Sequence, residues 1–317
     1  MLFGELKYNG SNCRFQLNEF ELSIHSMDVP VGAMPLALIT TELPPVNEVL
    51  LGTCYPDGKA IAIYVNGYWN SSNNVLFQKV RWYIKFSRRQ SKLSALKISA
   101  DELNEIFPVS RAIHGWSTEE STAEYSLKIK PFNSEAYEFQ HEGRQVTCQY
   151  VMHWGISQRN TSAPVHIGTQ FVMRFEATDD YLFCSSLIGI GKHYFEYLCY
   201  RQNISINSIV ALTQSESGRY IECGEFSAPW ILTAEKEDEK VIRKKYIPEY
   251  LIEQGNTLLL QSISDGIIYL RHIPKSTADN RVLTPARFVM VTAAFEWECH
   301  RTKNPRKKCA KIRANWQ

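Results

Sequence analysis

Two residues near the middle of the chain have types and a spacing that could cleave RNA. Six residues separate Arg159 from His166, and these two types can hold a phosphate and transfer a proton. The intervening Thr-Ser-Ala-Pro instead predicts a polar turn between two strands. We therefore favour a surface loop here, and Arg159 and His166 stay minor candidates for catalysis.

Other kinds of chemistry have less support in the sequence. His153, His166 and His193 match no metal-ligand spacing, and no G-x-S-x-G nucleophile motif occurs. Gly189-Ile190-Gly191-Lys192 has the composition of a phosphate loop but lies inside a helical apolar stripe, where small residues favour packing. We predict no catalytic residue with a clear signature, no metal and no cofactor.

The C-terminal segment carries the clearest functional signal that the residues give by themselves. From residue 301 onward the chain has seven basic and no acidic residues, whereas the remainder has 28 basic and 33 acidic residues. Clustered cations neutralise phosphates, and a tryptophan can stack on a base. The predicted nucleic-acid or partner-binding residues are Arg301, Lys303, Arg306, Lys307, Lys308, Lys311, Arg313 and Trp316. A disordered solubilising end is the alternative.

Cysteine usage and the N-terminus bear on the compartment. Eight cysteines are scattered without a C-x-x-C pair, which is typical of free thiols in a reducing environment. The first residues, MLFGELKYNG, lack a basic segment followed by an apolar run, and no apolar stretch approaches the roughly 20 residues that cross a bilayer. We expect a cytoplasmic protein with no membrane partner.

The elements that position these residues follow from the apolar pattern. Alternating apolar residues, interrupted by turn pairs such as Asp57-Gly58 and Asn66-Gly67, predict a mainly antiparallel, sandwich-like β-region. Apolar residues at three- and four-residue steps predict a long helix at 179–201, and a β-hairpin follows at 204–226. Together with a helical C-terminal part, this pattern predicts an α+β fold.

The C-terminal part contains two further predicted helices. One runs from Leu258 to Arg271 despite Gly266. The other begins after Thr284-Pro285 and continues to about His300.

The expected organisation has four parts. Residues 1–120 form a β-rich domain, and 121–232 form a second β-rich layer that packs the long helix. Residues 233–284 are a charged linker with helices, and 285–317 combine one helix with the basic tail.

Several segments resemble the N-terminal region of ApeA-like HEPN proteins, a bacterial anti-phage defence family. They are GELKYNG, LLGTCYPDGKAIAIYV, VRWYIKF, KHYFEYLCYRQNISINSIVAL with GRYIECGEF, and ARFVMVTAAFEWECHR. The resemblance implies a β-rich region followed by the first helix of a HEPN ribonuclease domain. It also implies that most of that domain, with its catalytic Arg and His, is lacking here, so no catalytic residue is carried over.

Three hypotheses follow. The first is a non-catalytic sensing, binding or regulatory module of an anti-phage system, whose partner is a full-length HEPN protein or a defence complex. The second is a nucleic-acid-associated component or inhibitor of a phage-defence or CRISPR-type complex, which binds RNA or DNA through the basic tail. The least favoured is a ribonuclease that uses Arg159 and His166.

Overall fold

The computed structural model describes most of the chain. The described residues are 1–8, 10–27, 48–72, 75–87, 89–119, 124–156, 165–232, 236–252, 255–282 and 284–301. Arg159 and all of the basic tail beyond Arg301 lie outside this set. The chain forms two compact units, of which the first comprises Met1–Ser99, Arg174–Cys184 and Ile206–Ala234 and the second Ala100–Met173, Ser185–Ser205 and Glu235–Gln317.

The first unit is built around a closed antiparallel barrel. Its six strands are β1 (Leu2–Tyr8), β2 (Ser11–Asn18), β3 (Glu21–Ser26), β4 (Glu48–Cys54), β5 (Ala60–Ser72) and β6 (Val75–Phe86). They are ordered β6-β3-β2-β1-β4-β5, and pairing of β5 with β6 closes the sheet. The inward side chains, including Phe15, Leu22 and Ile63, fill the interior.

Two local features let this sheet close. A Cβ on Gly4 would lie 1.9 Å from the Thr53 carbonyl oxygen, so only glycine permits the close approach of β1 and β4. The Asn66-Gly67 pair, predicted as a turn, lies inside β5 instead, and the register with β6 shifts between Val65 and Tyr68. Such irregularities bend a strand, which helps a sheet to curl.

The barrel sheet continues into strands from distant parts of the sequence. Beyond β6, the order is β14 (Tyr220–Ser227), β13 (Ile206–Gln214) and β7 (Leu93–Ala100), and the short helix α3 (Pro229–Leu232) follows β14. The hairpin predicted at 204–226 is therefore confirmed as β13 and β14. Strand β7 was not predicted, because most of its residues are buried and the sequence does not alternate.

The second unit contains the remaining strands together with most of the helices. Its strands are β8 (Ile113–Glu119), β9 (Glu124–Ile129), β10 (Tyr137–His141), β11 (Arg144–Ile156) and most of β12 (Val165–Thr178). Its helices are α1 (Leu103–Ile106), most of α2 (Tyr181–Cys199), α4 (Glu239–Ile242), α5 (Gly255–Ser264), α6 (Thr277–Asn280) and α7 (Pro285–Arg301). Short 3₁₀ turns occur at Val109–Ala112 and Glu249–Leu251.

The predicted α+β class, with a long packed helix and a helical C-terminal part, is confirmed, and its central β-region is a barrel with extra strands. Helix α2 begins where the Asp180 carboxylate accepts from the Phe183 amide at 3.0 Å, an N-cap contact. The helix predicted from Leu258 to Arg271 is wrong in its second half. Helix α5 ends at Ser264, because Gly266 takes a left-handed conformation with φ of +64°.

The turn after α2 holds the second unit together through buried ionic groups. Arg201, whose side chain is fully buried, donates from Nη2 to Glu102 Oε1 at 2.8 Å. The same carboxylate accepts the Ser205 amide at 3.1 Å and 3.2 Å. Arg201 Nη1 also donates to the Lys245 carbonyl oxygen at 3.3 Å. These bonds join the end of α2 to two segments that are far away in sequence.

Candidate functional site

Helix α7 carries an apolar face that its own unit does not cover. Phe288, Val291 and Phe295 recur at three- and four-residue steps, so they lie on one side of the helix. Their relative exposures are 61%, 40% and 49%. We call these three residues the α7 apolar face.

The opposite side of α7 attaches to the rest of the unit. Trp297 lies about half a turn around the helix from Phe288. Its indole Nε1 donates to the Ile267 carbonyl oxygen at 2.6 Å, and its ring is 6.4 Å from the ring of Tyr269. Ala293 and Ala294, which are more shielded than the apolar face, allow a close approach on this side. The attachment covers this side only in part, since Trp297 is itself 49% exposed and Met290, which lies on the same side, is 42% exposed.

The first turn of α7 is fixed by one arginine. Arg287 Nη1 donates to the Asp279 carbonyl oxygen at 2.8 Å, and Nη2 donates to the side-chain oxygen of Asn280. The Arg287 amide also donates to Thr284 Oγ1 at 3.2 Å, which caps the helix. Because Arg287 and Trp297 hold the helix at two separate points, the α7 apolar face belongs to an ordered element. A rigid helix that exposes aromatic side chains at this spacing is suited to binding another helix.

The fold brings together two of the three histidines considered for metal binding. The rings of His153 on β11 and His166 on β12 are 5.9 Å apart in an edge-to-face arrangement. Each ring covers a glycine of the neighbouring strand, since a Cβ on Gly168 or Gly155 would lie 2.8 Å or 2.6 Å from a ring carbon. Aromatic rings over glycines stabilise strand pairing. This geometry accounts for both histidines without a ligand.

His193 lies elsewhere, on α2, where its Nδ1 contacts Glu196 Oε2 at 2.6 Å. Within the described ranges, no group of three or more metal-ligating side chains comes together. The Gly189–Lys192 segment is helical, and Lys192 bonds the same Glu196 carboxylate. His166 is described but its proposed partner Arg159 is not, and the described part of the tail ends at the backbone of Arg301.

Buried tyrosines of the second unit form a hydrogen-bonded chain that sequence patterns did not indicate. Tyr150 donates to the Tyr194 hydroxyl at 3.3 Å, and Tyr194 donates to Asn256 Oδ1 at 2.6 Å. Burial, the main cause, raises the pKa of both phenols well above the usual value. These hydroxyls therefore stay protonated and link the sheet to α2 and α5.

Six cysteines whose side chains are described are buried thiols outside any disulfide: Cys13, Cys54, Cys148, Cys184, Cys199 and Cys223. Burial raises the pKa of the Cys199 thiol to about 12, although Arg201 opposes the shift, and raises that of Cys223 to about 11. Because the thiolate is the nucleophile, such thiols are poorly reactive at neutral pH.

Comparison of the chain with protein-family models, curated proteins and solved structures gives no match. The fold itself defines the class, which is an α+β protein with a six-stranded barrel. Among the described helices, none combines the length and the apolar character needed to cross a membrane.

Proposed function

We propose that the chain is a non-catalytic sensing and binding module of an ApeA-like, HEPN-associated anti-phage system, which docks a helical protein partner through the α7 apolar face. The single observation that carries the proposal is the outward exposure of Phe288, Val291 and Phe295 on an ordered helix. Buried cysteines outside any disulfide are typical of a protein that functions in the cytoplasm, which supports that location.

The spacing of these residues indicates that the partner contributes a helix to the interface. Apolar residues at alternating three- and four-residue steps insert between the side chains of a second helix. The resemblance of this segment to the first helix of a HEPN domain makes the helical domain of a full-length HEPN protein the proposed occupant. In that arrangement, α7 adds its apolar face to helices supplied by the partner.

The size of the effect follows from the exposed surface. Phe288 and Phe295 together expose slightly more than one whole side chain, and full burial of a phenylalanine contributes about 1.5–3 kcal/mol. A Phe288→Ser/Phe295→Ser variant should therefore bind the partner about 100-fold more weakly, which corresponds to about 2.7 kcal/mol.

The test uses the purified chain mixed with a full-length HEPN protein of the ApeA-like type, and titration calorimetry with light scattering measures affinity and stoichiometry. Ile221→Ser is the matched control, because Ile221 on β14 is 53% exposed but lies in the first unit. The proposal is supported if the wild type and Ile221→Ser form a 1:1 complex with the HEPN protein and the double phenylalanine variant binds more weakly. A homodimer that excludes the HEPN protein, or equal binding by all three chains, contradicts it.

A further inference from the structure

A pocket of about 380 Å³ lies in the second unit, at the end of α2. Its volume is in the range of small-molecule sites. The lining residues that could contact a ligand through rings or polar groups are Tyr197, Tyr200, Lys245, Tyr246, His272 and Asn280. Lys245 is the one described lining residue with a permanent charge, and the nearby Glu237 carboxylate is already bonded to the Thr277 amide, so the lining offers a cation to a ligand that carries negative charge.

The walls of this pocket are held by hydrogen bonds from the end of α2. The Ile247 amide donates to the Leu198 carbonyl oxygen at 2.8 Å, and buried Arg201 donates to the Lys245 carbonyl oxygen. On the other side, Gln202 donates through its backbone and side-chain nitrogens to the carbonyl oxygens of Pro274 at 2.9 Å and Ile273 at 2.8 Å. A ligand would therefore enter a site that is already ordered, which lowers the entropy lost on binding.

One wall residue adopts a backbone conformation that its side chain disfavours. Tyr200 follows the last residue of α2 and has a φ of +50°, where glycine is the usual residue. Its ring lies 5.6 Å from the ring of His272. A bulky residue is strained at this position, so the aromatic side chain is not explained by the end of the helix alone.

The His272 ring has a defined orientation. Its Nδ1 lies 2.6 Å from the Tyr269 carbonyl oxygen, which can only accept, so Nδ1 carries the proton. The rings of Tyr269 and His272 stack at an interplanar angle of 14°. His272 thus presents a fixed flat ring beside Tyr200, and Lys245 supplies a cation at the exposed rim.

We propose that this pocket binds a mononucleotide, whose base packs against the aromatic lining that Tyr200, Tyr246 and His272 provide and whose phosphate pairs with Lys245. Aromatic side chains bind bases through stacking, and a lysine ammonium is a common phosphate partner. The chemistry of the lining selects a flat aromatic ring joined to an anion.

A row of aromatic rings lies between α7 and the pocket. Rings of Trp297, Tyr269, His272 and Tyr200 follow one another at centroid distances of 6.4, 6.4 and 5.6 Å. If α7 docks a partner as proposed above, nucleotide binding and docking should influence each other reciprocally. Nucleotide binding by the isolated chain does not depend on that docking, so the two proposals can fail separately.

The experiment measures binding of AMP, GMP, CMP and UMP by titration calorimetry to the full chain, with adenosine and inorganic phosphate as partial ligands. Tyr200→Gly removes the ring and relieves the strained backbone, so we expect an unchanged or higher Tm together with at least about tenfold weaker nucleotide binding. Lys245→Gln should reduce nucleotide affinity to that of the nucleoside and remove its salt dependence.

Matched controls are Tyr250→Ala, which removes an exposed tyrosine outside the lining, and Lys244→Gln beside Lys245. Both should bind as the wild type does. The proposal is overturned if none of the four nucleotides binds at millimolar concentration, or if Lys245→Gln, an exposed change that leaves the fold intact, binds them with wild-type affinity and salt dependence.

Discussion

Removing the buried arginine at the end of α2 should strongly destabilise the protein. The side chains of Arg201 and Glu102 are 0% and 1% exposed, and their atoms are 2.8 Å apart. In Arg201→Met the Glu102 carboxylate stays buried with only the Ser205 amide as a donor among its described partners. Loss of one partner from a buried pair typically costs about 3–5 kcal/mol, because the remaining charge is uncompensated.

The assay is equilibrium unfolding in urea near neutral pH, followed by circular dichroism. Arg243→Met is the matched control, since the Arg243–Glu239 pair on α4 has side chains that are 63% and 75% exposed. Water and salt screen such a pair, so we expect a change below about 0.5 kcal/mol.

A double variant, Glu102→Leu/Arg201→Met, separates the ion pair from simple packing. It removes both charges, so its free energy of unfolding should be higher than that of Arg201→Met alone. Glu102→Leu alone completes the cycle. The assignment of Arg201 as a buried ionic anchor is refuted if Arg201→Met is no more destabilising than Arg243→Met. It is also refuted if the double variant loses as much unfolding free energy as Arg201→Met and Glu102→Leu lose together.

Two further predictions concern pH and salt. Burial lowers the pKa of His141, although Glu142 and Asp265 oppose the shift, so its stabilising contribution is present above its unfolded pKa of about 6.5 and is lost as the pH falls below that value. His141→Gln should therefore show a smaller loss of unfolding free energy between about pH 7 and about pH 5.5 than the wild type, and an equal loss would contradict this. If the tail binds RNA, charge reversal of Lys307 and Lys308 should reduce the salt dependence of binding to a single-stranded RNA, whereas salt-insensitive binding by the wild type would argue against that role.

Elements with a regular apolar period were predictable from the sequence. Helix α2, the β13–β14 hairpin and α7 have apolar residues at regular steps, and all three are present. Strand β7 was missed because a strand that is buried on both faces has no polar alternation. Asn66-Gly67 was misassigned because this pair is compatible with both a turn and an irregular strand.

The candidate site was only partly visible in the sequence. The apolar period of α7 is a local property, but which side of the helix is covered depends on Trp297 meeting Ile267 from an earlier part of the chain. No sequence pattern indicated the pocket, because its lining comes from separate segments around residues 197–200, 245–247, 272 and 277–280. Such convergence arises from long-range contacts and leaves no local pattern.

The sequence by itself determined the α+β class, the long helix, the hairpin after it and the basic character of the C-terminal end. Those features depend on local periodicity and charge, which neighbouring residues carry. Tertiary structure alone decided that the sheet closes into a barrel and that Arg201, the last residue of the predicted helix, is a buried ionic anchor. It also decided that the α7 apolar face points outward. The physical reason is that closure, burial and exposure depend on contacts between residues far apart in the chain.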